Sequence, residues 1–410
     1  MVGIPLRVAV ASFVAALGVC APAGGRTVQT IGDDGPQKLR FAQNLAIGPT
    51  GSIYVLDASG TFPDPRVLVN VYSPAGKTLR SWQVPSATTT YDLAVDGAGD
   101  VYVVLMDERR VVRYSSKGRV LASWRAPATG DGFPRSITID GGHVLVAVSD
   151  GRIDSFDVSG ALIGSPWVLN ADAASSIAAT ASGRVYFASA RGIGVLDRSG
   201  GARYIAGGPQ GHVEDGARAI AAGPQNTAYT LGGPSFGLSG ERIQRISSAG
   251  RLLGSVGIYD FYRFFSDLAV ASDGSIFASS RGRGAVYRFP AITTLDRTPP
   301  FVDDLDAAPR ADRVRLRYRL SERSIVRVIL ARRPVRGKHK GRLVYAGQFE
   351  RPAAGAGRHV LTLDRREFTP SGRTPPGRYR VSLIAIDDAG LQSRAARVSF
   401  SFTRRPAPTA

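Results

Sequence analysis

Thiol chemistry has almost nothing to work with in this chain. Its 410 residues hold one cysteine, Cys20, and four histidines, His143, His212, His339 and His359. Lysine is scarce too, 5 residues against 47 arginines, and negative charge is outweighed, leaving a formal net charge of +19. Long apolar runs are confined to the N-terminus. No later stretch approaches the roughly 18 apolar residues of a membrane-spanning helix. There Arg7, the apolar run 8–21 and the small-x-small triplet Ala21-Pro22-Ala23 predict an export signal over residues 1–23. Retention of that segment as an anchor is the other reading. Cleavage after Ala23 removes Cys20, so the mature, extracytoplasmic chain has no disulfide or thiolate, and its stability rests on packing.

What is plentiful is punctuation: 48 glycines and 25 prolines in a chain that is 43% hydrophobic. That mixture suits many short strands joined by tight turns better than long helices. A motif of two apolar runs around a Gly turn occurs six times. Its copies are "LAIGPTGSIYV" at Leu45, "LAVDGAGDVYV" at Leu93, "ITIDGGHVLV" at Ile137, "IAATASGRVYF" at Ile177, "IAAGPQNTAYT" at Ile220 and "LAVASDGSIFA" at Leu268. A spacing of forty to fifty residues between strand-like units is that of a β-propeller. Each copy is followed by a second strand–turn–strand half, as in "RVLVNVYSPAGKTLRSW" from Arg66 and "RRVVRYSSKGRVLASW" from Arg109, so one unit makes a four-stranded blade. The first strand reads apolar, small, apolar, as the narrow end of a wedge requires. The second carries an aromatic (Tyr54, Tyr102, Tyr186, Tyr229, Phe277) where the wedge widens. The last unit lacks a fourth strand, and "TVQTIG" (27–32) is expected to supply it.

These units resemble the NHL-repeat family: an apolar strand, a Gly turn, an apolar–aromatic strand and an "R-V-x-x-Y/F" strand recur over about residues 27–290. The Gly-rich segment 208–230 has the look of that family as well. The resemblance implies a six-bladed β-propeller, here predicted over residues 24–294. Similar propellers include lactonases and lyases.

A Pro-containing linker is read at 295–306, then "RVRLRYRL", "SIVRVILA", "RLVYAG", "HVLTLD", "RYRVSLIAID" and "RVSFSF". Their alternation predicts a small β-sandwich over 307–403, with a tail at 404–410. "PPGRYRVSLIAIDDAGLQS" resembles the late strands of immunoglobulin-like or fibronectin-III-like modules of bacterial surface proteins. The fold class expected is thus all-β, a six-bladed β-propeller followed by a small Ig-like β-sandwich. Residues 296–410 carry a net +14 against +4 for residues 24–295. Their densest cluster, Arg332, Arg333, Arg336, Lys338, Lys340 and Arg342, is a candidate docking site for an anionic wall polymer. A solvated arginine-rich strand face is the plainer reading. Aromatics are not interleaved with these charges, which argues against specific nucleic-acid binding.

No catalytic triad, metal-ligand spacing or nucleotide fingerprint is present, so no catalytic residue, metal or cofactor is assigned. In propeller geometry the long, variable connections converge on one mouth of the channel. The residue before each inner strand forms a ring there: Asn44, Asp92, Ser136, Ser176, Ala219 and Asp267. His212 lies beside Glu214 and Asp215. Tyr262 and Arg263 stand in the aromatic loop "YDFYRFFSD". Asn44, Asp92, His212, Asp215, Tyr262, Arg263 and Asp267 are the ligand-binding candidates. The expected function is secreted, non-catalytic recognition of a peptide, glycan or cell-surface ligand. A lactonase-like hydrolase or lyase with its site at the channel mouth is the alternative.

Overall fold

A computed structural model of the chain describes residues 29–33, 38–59, 66–84, 90–127, 130–169, 173–197, 200–206, 217–232, 241–258, 265–293, 296, 298–310, 313–333, 342–368, 377–387 and 391–402. The short apolar runs separated by Gly turns form strands throughout. β1 (Gln29–Ile31) stands apart in sequence from its own sheet. The first sheet is β2 (Ala42–Ile47), β3 (Ile53–Ser59), β4 (Arg66–Tyr72) and β5 (Thr78–Val84). The second is β6 (Thr90–Val95), β7 (Val101–Leu105), β8 (Arg110–Tyr114) and β9 (Val120–Arg125). The third is β10 (Pro134–Asp140), β11 (His143–Val148), β12 (Arg152–Phe156) and β13 (Leu162–Val168). β14 (Ser176–Ala179), β15 (Val185–Ser189), β16 (Gly192–Leu196) and β17 (Ala202–Ala206) make the fourth. The fifth holds β18 (Ala219–Gly223), β19 (Thr227–Gly232), β20 (Glu241–Ile246) and β21 (Leu252–Ile258). β22 (Phe265–Val270), β23 (Ile276–Ser280) and β24 (Ala285–Phe289) make the sixth, and β1 pairs antiparallel with β24, Gln29 opposite Arg288 and Ile31 opposite Val286.

Each sheet is an antiparallel meander, and its first strand contacts the first strand of the next. β22 in turn touches β2, so the series closes on itself. Hydrophobic cores lie between successive sheets, the last of them joining Phe277 and Val286 of the sixth to Leu45, Val55 and Tyr72 of the first. Inner strands have least room. Ala46, Ala94, Ala178, Ala221 and Ala269 therefore face Tyr54, Tyr102, Tyr186, Tyr229 and Phe277 across their strand pairs. The small residue makes space for the ring, which is buried in every case. Burying such a ring contributes about 1.5–3 kcal/mol.

Further out, tryptophans on the fourth strands fill the wedge. Trp82 packs 6.1 Å from Tyr114 of the second sheet, and Trp124 lies 6.0 Å from Phe156 of the third. Each covers a turn glycine with positive φ. A Cβ on Gly118 would stand 2.7 Å from the Trp82 ring, and one on Gly160 2.5 Å from Trp124. Glycine is thus required there twice over, by the backbone and by the indole.

The described residues between 302 and 402 form two more sheets. β25 (Val302–Pro309), β26 (Arg313–Leu320) and β29 (Gly357–Asp364) make one, in the order β25-β26-β29. β27 (Ser324–Arg333), β28 (Val344–Ala354), β30 (Gly377–Asp387) and β31 (Ala396–Phe402) make the other, ordered β28-β27-β30-β31. They share one core, in which Phe368 meets Tyr379, Phe400 and Phe402 edge-on at 5.4–5.8 Å. β25 begins at Val302, inside the stretch read as linker. Its acidic residues and a bulge between Asp303 and Asp306 hide the alternation, while Val302, Leu305 and Ala307 pack on the core. Along β26 the pattern is strict: arginines out, Val314, Leu316, Tyr318 and Leu320 in.

Candidate functional site

The antiparallel register sets the start of each inner strand beside the end of its second strand, where the long connections leave. Ala42 faces Asp57, Thr90 faces Leu105 and Phe265 faces Ser280. The ring residues, expected just before the inner strands, lie within them, or at their first residue for Ser176 and Ala219, because bulged pairing carries the strands further toward this mouth. Four of their side chains tie one sheet to the next. Asp267 Oδ2 accepts the Leu45 amide at 3.0 Å, joining the sixth sheet to the first. Asp92 Oδ2 accepts the Ile137 amide at 2.9 Å and the Ser136 hydroxyl at 2.7 Å. Ser136 Oγ accepts the Ile177 amide at 3.0 Å, and Ser176 Oγ the Ile220 amide at 3.2 Å. These short side chains give acceptors to the amides of buried inner-strand residues.

Two of the ring positions carry charge. Asp267 is buried and Asp92 half-buried. Burial pushes the Asp267 carboxyl up to about 8, reinforced by the like charge of Asp92, against the amides of Leu45 and Leu268 and the Asn44 side chain, which favour its ionised form. Burial also raises Asp92, to about 6, opposed by Ser136 and the amides of Ile137 and Leu93. The structure therefore brings Asn44, Asp92 and Asp267 together, and near neutral pH the pair of carboxyls retains a proton. The inner strands below them line a channel of about 200 Å3.

A second charged group stands on the same rim. Glu241, at the start of β20, pairs with Arg218 and accepts the Phe265 amide at 3.1 Å. Burial raises its carboxyl, and Arg218 pulls it back. Asp57, also raised by burial, accepts the amides of Phe41 at 2.7 Å and Arg40 at 3.0 Å. Sequence reasoning missed Glu241, Arg218 and Asp57 because nothing in their local spelling separates them from surface charges; only ring closure sets them at one mouth.

His212, Asp215, Tyr262 and Arg263 lie outside the described residues, as do Arg336, Lys338 and Lys340. Arg332, Arg333 and Arg342 flank that last segment, at the end of β27 and just before β28. Elsewhere, the carboxylates of Asp296, of Glu322 between β26 and β27, and of Asp387 at the end of β30 gather within 4.8 Å of one another. Among the described residues no helix is long and apolar enough to cross a membrane.

Fold and rim together define a β-propeller, all-β, with blade-like sheets around a narrow, acidic-mouthed channel. No protein-family model and no curated protein sequence matches the chain. Among solved structures it is similar to selenomethionine-substituted virginiamycin B lyase from Staphylococcus aureus, at 14% identity and a TM-score of 0.45 over 71% of this chain and 96% of that one. It is also similar to a streptogramin B lyase, at 15% identity and 0.45 over 64% and 96%. A catalytically inactive variant of the Staphylococcus aureus enzyme with quinupristin gives 14% and 0.48, over 71% and 96%.

Proposed function

We propose that the chain is an extracytoplasmic recognition protein. Its first six sheets make one six-bladed propeller of NHL-like type, its last two an Ig-like sandwich, and the ligand is taken at the mouth where Asn44, Asp92 and Asp267 converge. The sheet closure through β1 and the cyclic inner-strand contacts support the blade count. The order of the last seven strands, first-second-fifth against fourth-third-sixth-seventh, supports the Ig-like reading.

The observation that carries the function is the acidic pair at the rim. A cationic group of a peptide or amino-glycan that displaces the proton of Asp267 gains two carboxylates whose oxygens are fixed by backbone donors. The test is binding of basic peptides and amino-glycans to the full chain and to D92N/D267N. Amide side chains keep the inter-sheet acceptors, so the variant should fold as before and bind at least tenfold more weakly. Equal affinity in a normally folded variant defeats the proposal. The aromatic loop is tested separately with Tyr262→Ala and Arg263→Ala.

A second reading is favoured by the state of Asp267. A carboxyl that stays protonated near neutral pH in a concave site is what a general acid requires, so a hydrolase or lyase remains the alternative function. Turnover of lactone or ester substrates abolished by D267N would establish it.

A further inference from the structure

Between the third and fourth sheets, at the turn end opposite the acidic mouth, lies a groove of about 590 Å3, within the range that small-molecule pockets take. Its origin is a row of residues that face one another across the strands. In the second sheet that row reads Ala94, Tyr102, Arg113 and Ala122. The Tyr102 ring carries the Arg113 guanidinium at 5.6 Å, its hydroxyl donates to Asp96 at 3.0 Å, and Arg113 pairs with Asp100 at 2.6 Å. Ring and cation together close the wedge against the third sheet. The first, fourth, fifth and sixth sheets also carry an aromatic and an arginine in this row: Tyr54 and Arg80, Tyr186 and Arg203, Tyr229 and Arg245, Phe277 and Arg288.

The third sheet has neither. Its row is Thr138, Leu145, Ser155 and Gly164. A Cβ built on Gly164 meets nothing within 4 Å. An extra residue in β13 shifts the register, so Trp167 opposes Ile153 one step out of phase with Gly164 opposite Ser155. Trp167 opposes Ile153 as Trp124 opposes Val111, yet it does not cover the next turn glycine: a Cβ on Gly200 would meet Pro166 O at 2.8 Å. Its Nε1 instead donates to Asp197 O at 2.7 Å, and its ring lines the groove with Leu196 and the half-exposed Ile163. Asp140 corresponds to Asp96, but Leu145 stands in the place of Tyr102, whose hydroxyl donates to Asp96, and Asp140 lies on the rim with Asp197. His143 Nδ1 lies 3.5 Å from Ser155 Oγ beside them.

We propose that this groove binds a small aromatic cation, a single ring joined by a short linker to an amine or guanidinium. The ring takes the place of the missing Tyr102 counterpart against Leu145, Leu196 and Trp167. The cation takes the place of the missing arginine and meets the carboxylates of Asp140 and Asp197. The neighbouring wedge shows the same two groups in covalent form, which gives both the size and the charge of the occupant.

The probe is tyramine, titrated by calorimetry into the full chain, with Trp167 fluorescence as a second readout. Saturable binding at about 1 mM or tighter is expected, with p-cresol and n-butylamine each at least tenfold weaker. Leu145→Tyr with Ser155→Arg fills the groove and should abolish binding. Gly164→Leu occludes the same space from open backbone and serves where the double variant does not fold. Absence of saturable tyramine binding overturns the proposal. So does undiminished affinity in either folded variant, or equal affinity for p-cresol and n-butylamine. The mouth variant D92N/D267N leaves this groove untouched and should bind tyramine as the parent does, which separates this site from the proposed function.

Discussion

At the scale of single residues, Asp267 has two duties that pull in opposite directions. Its oxygen is needed as the acceptor that ties the sixth sheet to the first, yet its charge is held in a buried site beside Asp92. The folded carboxyl titrates far above its ordinary 3.8, so between that value and about 8 the folded state binds more protons than the unfolded one. Stability contributed by this group is therefore largest at low pH and is lost as pH rises through that window. Asp267→Asn keeps an acceptor for Leu45 and removes the charge. The variant should match the parent near pH 4 and become progressively more stable than it up to about pH 8. The gain reaches a few kcal/mol, because a tenfold change in proton activity is worth about 1.4 kcal/mol to a group that titrates only on unfolding. Denaturant unfolding of both proteins across this range checks the sign; an advantage that shrinks with rising pH contradicts the assignment.

At the scale of elements, the repeat made much of the propeller legible. The small–aromatic pairing across β2 and β3, and across four more strand pairs, follows from the taper and is written plainly in the apolar–small–apolar spelling. The acidic rim was half legible. Asp92 and Asp267 could be placed by their position before an inner strand, but their use as inter-sheet acceptors depends on neighbours forty or more residues away. The groove left a trace that spelling alone does not interpret: the third copy, "ITIDGGHVLV", lacks the aromatic that the other five carry. Strand β1 is the element with the largest predicted effect. Without it β24 presents an open edge, and the core shared by Ile31, Leu39 and Tyr72 loses a member. Deletion of residues 24–33 should lower the melting temperature of the propeller by 10 °C or more, about what the loss of several kcal/mol does to a domain of this size. An unchanged midpoint would show that β1 is dispensable.

At the scale of the whole molecule, charge is unevenly shared. The outward side of β26 carries Arg313, Arg315, Arg317 and Arg319 in alternate positions, and Arg358 lies opposite Arg319 on β29. Asp303 and Asp306 oppose Arg319 and Arg317 on the other side, so the face is basic but partly compensated. If this face docks on an anionic polymer, affinity for polyphosphate should fall roughly a hundredfold between about 50 mM and about 200 mM salt, and charge reversal at Arg315 should reduce the slope. Affinity insensitive to salt would leave the arginines as a solvated strand face. The closure of the sheet series has a mechanical side. Gln29 at the leading end of β1 is paired with Arg288 near the trailing end of β24, so the chain enters and leaves the ring at the same end of one antiparallel pair. Tension applied between the N-terminus and the C-terminal unit would peel three residue pairs one after another, as a zipper opens, instead of shearing them together. A clasp that covers the edge of β24 against edge-to-edge association is thus built to yield to a pull.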